Sequence, residues 1–419
     1  MKTTITILAF LFSVAAVSHA QTAPEATAGN AELQCSARYA QNAEFLSGTL
    51  GDSQNATLSG NVEYMNGFKR RPFSLNFGGG YSWNLAGVSY GDGVFENLFV
   101  SQGIVGRKWN ILFSDDVSYL NEAPLTGFSG IPGTGEPISG SNPAPPSNQT
   151  ILTVNTRTVN NTASAQYEHT LNYETSLTVG GSSQLLRYPE GNGLDTNGQM
   201  ANAGLVRRLN ARSSLSGQYS FSDFTYPANN LGLPVSNFLT NAVFFGYQRQ
   251  WNRSLNTSVS AGPEWLSSSD SAVIPSSTSF AGNASAIDKF RFGSATLSYS
   301  RQISGGGGYL GGAEVDNISA GFAREFERKL DINLTGGYMR TSGLANQGTS
   351  GVANQGEYDG KYGAAMATLR LSRYFTAFAS YTGTDQSTPS SSSGNALSGL
   401  WQVASFGIGY SPREKHVNK

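Results

Sequence analysis

The sequence predicts an all-β fold: a closed, up-and-down antiparallel transmembrane β-barrel of about sixteen strands. Three observations carry that expectation. Apolar and polar residues alternate with period two over most of the chain after residue 54. The connections between alternating segments are of two kinds, short and charged or long and nearly uncharged. Charged residues make up only 13% of the chain while Gly reaches 50, Tyr 19 and Phe 23 of 419 residues. Period two puts one set of side chains on each face of a strand, and weak charge with many aromatics suits strands that face lipid on one side and polar space on the other.

At the N-terminus, Lys2, an apolar run from Ile5 to Val17 and the small residues Ser18 and Ala20 have the order and spacing of a secretory signal peptide. Residues 1–20 are therefore expected to be removed, leaving Gln21 first. The apolar run, about thirteen residues, falls short of the roughly twenty that a membrane helix needs. No later segment comes near that length, and the mean hydropathy is −0.27. Residues 21–53 are polar and rich in Ala, Asn and Gln, and read as a periplasmic leader or linker. Cys35 is the only cysteine, so no intramolecular disulfide can form. Glu32, Leu33 and Gln34 before it do not resemble a lipoprotein processing site.

The barrel is expected over 54–411. Leu255, Thr257, Val259, Ala261 and Trp265 alternate with Asn256, Ser258, Ser260 and Glu264; Leu330, Ile332, Leu334, Gly336 and Tyr338 alternate with Asp331, Asn333 and Thr335. Gly293 to Ser300 and Ala404 to Ser411 repeat the pattern. Each run approaches the length of a tilted membrane strand, about 9–11 residues. Short connections recur as Arg-rich turns, among them Gly106-Arg107-Lys108, Gln250-Trp251-Asn252-Arg253 and Ser372-Arg373-Tyr374. Long ones at 120–150, 188–196, 227–235, 267–276, 341–356 and 385–399 are built from Ser, Gly, Asn and Pro. Such an alternation puts turns in the periplasm and loops outside. Sixteen strands then run from near 71–83 to near 400–411. A dyad at 54–65 would make seventeen, yet single-chain bacterial barrels close with an even number. Either that segment stands outside the barrel, or residues 38–50 supply a partner and the count is eighteen. Residues 412–419 are a charged C-terminal tail.

The stretches Arg71-Pro72-Phe73 into Gly78-Gly79-Gly80-Tyr81, and Lys108-Trp109-Asn110-Ile111-Leu112-Phe113-Ser114-Asp115 followed by Tyr119-Leu120 and Pro124, resemble bacterial outer-membrane β-barrels of porin-like type, and among them a group of uncharacterised acidobacterial barrels. The resemblance covers about 340 residues and its motifs are compositional. It implies residence in the cell outer membrane, contact with outer-membrane lipid, and insertion by the barrel-assembly machinery. Phe406, Ile408 and Tyr410 match the C-terminal strand that such machinery reads, although Pro412 to Lys419 follow where a terminal aromatic is usual.

No catalytic, cofactor-binding or metal-binding residue emerges, and the chain is expected not to be an enzyme. Barrel enzymes generally rely on a histidine to take a proton near neutral pH. Of three, His19 is in the signal peptide, His416 in the tail, and His169 beside a periplasmic turn. Ser53 has no base near it in sequence and reads as a turn residue. Asp195 and Asn197 offer oxygens to calcium, but without a bidentate Glu they read as an Asn/Gly turn. Tyr119, Tyr188, Trp265, Tyr338 and Tyr381 near one end of the strands, and Trp109, Trp251, Tyr374 and Tyr410 near the other, suit two headgroup-level girdles. Asp115 is an anomaly: its parity is that of Trp109, Phe113 and Tyr119, which aims a charge at lipid. Either a β-bulge near Ser114 turns it inward, the favoured expectation, or it sits shallow enough to be hydrated.

A net charge of −1 says nothing strong about partners, but the sequence has no basic patch of the kind nucleic acid demands, and no nucleic-acid partner is expected. A barrel this wide leaves an aqueous lumen, and its inward Ser, Thr, Asn, Gln and Gly suit a passive or weakly selective channel for small polar solutes, with at most an anion bias from arginines at the periplasmic rim. The alternatives are a closed surface barrel whose loops bind a partner, a barrel enzyme, and a soluble secreted β-protein. The long segment 120–150, with six prolines and the apolar Leu125, Phe128, Ile131 and Ile138, is expected to be an extracellular loop folded toward the pore mouth.

Overall fold

The computed structural model describes residues 31–46, 52–66, 68–87, 92–122, 156–191, 193–227, 235–307, 310–327, 329–345, 357–387, 399–412 and 415–417. Among them eighteen long strands follow one another up and down: β1 (Ala31–Leu46), β2 (Ser53–Asn66), β3 (Phe73–Gly87), β4 (Gly93–Val105), β5 (Trp109–Glu122), β6 (Thr156–Thr170), β7 (Thr175–Arg187), β8 (Thr196–Asn210), β9 (Ser213–Thr225), β10 (Phe238–Gln250), β11 (Leu255–Ser268), β12 (Ser277–Phe290), β13 (Gly293–Gly307), β14 (Leu310–Phe326), β15 (Leu330–Gly343), β16 (Glu357–Arg370), β17 (Phe375–Ser387) and β18 (Gly399–Tyr410). Each pairs antiparallel with the next, and β1 pairs with β18 from Ala37↔Tyr410 to Leu46↔Trp401, which closes the sheet. Closure satisfies every strand edge, as lipid requires because it offers no hydrogen bonds of its own.

The expected sixteen strands are thus corrected to eighteen. Residues 31–46, read as leader, form β1 and pair with β2 from Ala31↔Asn66 to Glu44↔Ser53. Its outward row is Leu33, Cys35, Ala37, Tyr39, Gln41, Ala43 and Phe45, in which small and polar groups interrupt the apolar ones and blur the dyad. The C-terminal segment is more than a tail: β19 (Lys415–Val417) pairs with Ala31–Leu33 of β1, prolonging the line of β18. The signal segment 1–20 and most of the loop 120–150 lie outside the described residues.

The start of β1 and the end of β18 share a rim with the short turns, which is the periplasmic rim in a barrel of this type. Three of those turns use one local design. Leu171, Trp251 and Leu371 each donate a backbone N–H to the carbonyl of Thr175, Leu255 and Phe375, four residues on. The next side chain, Asn172, Asn252 or Ser372, accepts from the backbone N–H groups two and three residues ahead, at 2.6–3.2 Å. Short polar side chains that bond their own backbone favour such turns. The Arg-rich turns also stack guanidiniums on aromatic rings: Arg249 on Trp251 (4.1 Å), Arg324 on Phe326 (4.7 Å), Arg291 on Phe292 (4.9 Å) and Arg373 on Tyr374 (5.9 Å).

The two faces separate as period two demands. Phe245, Phe280, Leu297, Ile318, Leu334, Phe406 and Ile408 are exposed on the outer face, whereas their sequence neighbours point inward. Trp109, Trp251, Tyr410, Trp265, Tyr338 and Tyr381 are exposed near the two rims. Tyr188 leaves that group, for it is buried beneath Gly193 in the loop after β7. The bulge expected near Ser114 is absent. Asp115 stands opposite Val100 and Ala163 in unbroken registers, so it faces outward; among the described residues the registers shift only at Gln54/Asn55 and Arg208/Asn210.

Candidate pore and its narrowed mouth

Inward positions carry short polar side chains that bond across strands. Ser74–Ser101 (2.8 Å), Ser114–Ser164 (2.7 Å), Ser258–Ser285 (2.7 Å) and Ser298–Ser319 (2.5 Å) are hydroxyl pairs on adjacent strands. Asn42 donates to Asn55 at 2.6 Å and Asn97 to Asp116 at 3.0 Å. These bonds occupy polar groups with one another, leaving a wall that is hydrophilic but nearly neutral.

Three of the larger inward rings lie across glycines. Phe378 of β17 leans over Gly407 of β18, where an added Cβ would come within 2.5 Å of the ring. Arg38 of β1 stacks on the same ring, 3.4 Å from its centroid. Tyr362 lies across Gly337 and Phe95 across Gly80 in the same manner. A glycine opposite an aromatic lets the ring lie flat on the sheet instead of standing into the lumen, so these pairs preserve width.

The mouth is different. β12 pairs with β13 only from Phe290↔Gly293 to Gly282↔Arg301. Beyond Arg301 the β13–β14 hairpin leaves the wall and turns inward. Ile303, which has the outward parity of Tyr299 and Arg301, is consequently buried against the inward-facing Phe224 of β9, Phe238 of β10 and Leu266 of β11, together with Ile274 of the following loop. Phe224 and Phe238 stack with centroids 5.1 Å apart. Gly305 reaches β8: a Cβ there would lie 2.7 Å from Phe224 Cδ1 and 3.1 Å from Thr196 Cγ2.

Three features hold the hairpin in place. The backbone N–H of Ile303 donates to Glu264 Oε2 at 3.2 Å, and Thr240 bonds the same buried carboxylate. The Tyr226 hydroxyl donates to Gly305 O at 2.9 Å, and burial pushes that phenol well above its usual range, keeping it a donor. Gly306 (φ 78°) and Gly312 (φ 97°) adopt left-handed conformations that L side chains rarely accept. In the sequence, clear alternation stops near Ile303 and resumes near Val315. The signal for this element was the run Gly305-Gly306-Gly307-Gly308 with Gly311-Gly312, which carries no alternation to detect.

The residues weighed from sequence are scattered. His169 lies on the outward parity at the periplasmic end of β6, with Tyr167 Oη 3.1 Å from its Nδ1. Ser53 begins β2 at the opposite rim and is buried. Asp195 is engaged within its loop: Oδ1 accepts from Tyr188 N at 2.9 Å and Oδ2 lies 3.8 Å from Arg187 Nε, while Asn197 Oδ1 accepts from Arg187 Nη2 at 2.5 Å. A guanidinium therefore sits between the two oxygens once weighed for calcium.

A closed eighteen-strand barrel, apolar without and polar within, with both ends of the wall on the rim of short turns, defines the class: a transmembrane β-barrel of porin-like architecture. No family model and no curated protein matches the chain. Among solved structures it is similar to OccK2 (OpdF) of Pseudomonas aeruginosa in complex with glucuronate (TM-score 0.49, 10% identity, 93% of this chain and 98% of that one). It is also similar to OccAB4 of Acinetobacter baumannii (TM-score 0.47, 8% identity, 94% and 100%) and to OprD of Pseudomonas aeruginosa (TM-score 0.43, 10% identity, 94% and 98%).

Proposed function

We propose that the barrel is a passive or weakly selective channel for small polar solutes, entered past the β13–β14 hairpin. The observation that carries this reading is the wall of hydroxyl and amide side chains with aromatics laid flat over glycines. A neutral wall discriminates little between ions, and the arginines of the periplasmic rim add at most a modest preference for anions. Export through a signal peptide at 1–20 and insertion by the barrel-assembly machinery, with outward Phe406, Ile408 and Tyr410 in the last long strand, belong to the same reading. Nothing in this mechanism calls for a cofactor or a catalytic group.

The experiment is conductance of the purified protein in a planar bilayer, with reversal potentials in a salt gradient. Stable steps with weak selectivity are expected. A second reading has a specific observation in its favour, the apolar cluster around Ile303 in the mouth: a closed barrel whose extracellular surface binds a partner. Insertion without conductance would select it.

A further inference from the structure

The two rims treat their arginines differently. At the extracellular end guanidiniums are matched by carboxylates: Arg157 by Glu190, Arg187 by Asp195, Arg301 by Glu314 and Asp316, and Arg340 by Glu357. At the periplasmic end Arg249, Arg291, Arg324 and Arg373 are exposed and stack on rings instead. Among the described residues none of these four takes part in an ion pair. A ring face attracts a guanidinium but leaves its charge and its N–H fork uncompensated. Arg249 and Arg324 stand on outward-facing positions, and Trp251, Phe292 and Phe326 beside them are exposed, so charge and apolar surface are presented together at headgroup depth.

We infer that this rim, from β10 to β17, is a binding surface for anionic glycerophospholipids of the leaflet it faces. The rings enter the boundary of the acyl chains and the arginines take the phosphates. The partner fits by charge complementarity: a surface of unpaired cations around an otherwise neutral barrel meets a sheet of phosphodiester anions. A paired rim, like the extracellular one, would gain nothing from it.

The test uses the full chain with W109F and W265F, which leave Trp251 as the exposed tryptophan of the outer face, refolded into vesicles of phosphatidylcholine with increasing phosphatidylglycerol, the latter brominated on its acyl chains so that bound lipid quenches tryptophan fluorescence. Each basic group near an anionic surface is worth about a fivefold change in association at low salt, so a preference for phosphatidylglycerol of at least about fivefold is expected. It should fall as salt rises. The variant combining R249Q, R291Q, R324Q and R373Q should lose the preference, whereas R340Q, at the paired rim, should keep it. Heat-dependent migration in SDS checks that each variant has folded. If the fourfold variant does not fold, R291Q and R373Q, both confined to turns, are compared singly and should each lower the preference. Equal quenching by the two lipids, or a preference that survives loss of the arginines, would overturn the inference. So would competition by inorganic phosphate beyond that of chloride at equal ionic strength, since the rim would then be a general phosphate site.

Discussion

Asn161 Nδ2 donates a 2.7 Å hydrogen bond to Asp115 Oδ1 on the outward face of the barrel, halfway along strands β5 and β6 and between the outward Phe113 and Val117. The pair resolves the anomaly of a charge aimed at lipid without a bulge: the carboxylate stays outward and borrows a donor from the adjacent strand. The arrangement is tolerated, not optimal. We expect D115L to stabilise the protein in bilayers by up to about 2 kcal/mol, read as a higher urea midpoint, because acidic groups near the midplane cost less than basic ones but still cost. N161L, which leaves the carboxylate alone, should lower it. A destabilised D115L would show that the carboxylate has a protein partner beyond Asn161.

The register fixes which face each residue serves. Leu334 is exposed on the outer face, and Thr335 next to it points to the lumen opposite Ala364. L334R should impair assembly by about 2–4 kcal/mol, the cost of a basic group near the bilayer midplane, while T335R should assemble with altered ion selectivity. Yields of folded protein after refolding into lipid decide this. Equal tolerance would mean that the faces are assigned wrongly.

Closure through β1 and β18 leaves no strand edge from which a detergent can unzip the wall. Correctly folded protein should therefore keep its compact migration in cold SDS and shift after boiling. Deleting residues 31–46 should abolish the shift, because seventeen strands cannot close with every neighbour antiparallel. A heat shift retained in that deletion would remove β1 from the wall.

The hairpin at the mouth can be displaced by one methyl-bearing side chain. In G305V the new Cβ would meet the Phe224 ring at 2.7 Å, and the neighbour is packed within the buried cluster. The tip should lift, raising single-channel conductance without loss of insertion. Deleting 126–144 should also raise conductance if the long loop shares control of the entrance. G305V with unchanged conductance would make the hairpin a structural brace and not a constriction.

Most of the wall was legible because a strand between lipid and water must alternate, and β3 to β18 do so plainly. β1 was hidden by Ala37, Gln41 and Ala43 among its outward residues, and only the requirement for an even strand number pointed to it. The arginine-rich turns were visible as a recurring signature; that their cations stack on rings rather than pair with acids depends on side-chain geometry that composition does not carry. The mouth was the least legible part. Ile303 continues the outward row in sequence, yet the chain turns inward just before it, and the glycines that permit the turn have no side chain to announce a face. Glu264 read as one polar member of a dyad, and its hold on Ile303 joins elements far apart in the chain.

The seam between β1 and β18 also dictates an order of events during biogenesis. Ala37 and Tyr410 are separated by almost the whole run of strands, so their pairing carries a larger loop-closure entropy than that of any two long strands consecutive in sequence. Every earlier assembly state is an open curl with two reactive borders, which must be shielded until the last segment has been delivered. A ribosome-arrested or proteolysed chain lacking only its final strand would remain in that state, a substrate for periplasmic proteases and not a smaller pore.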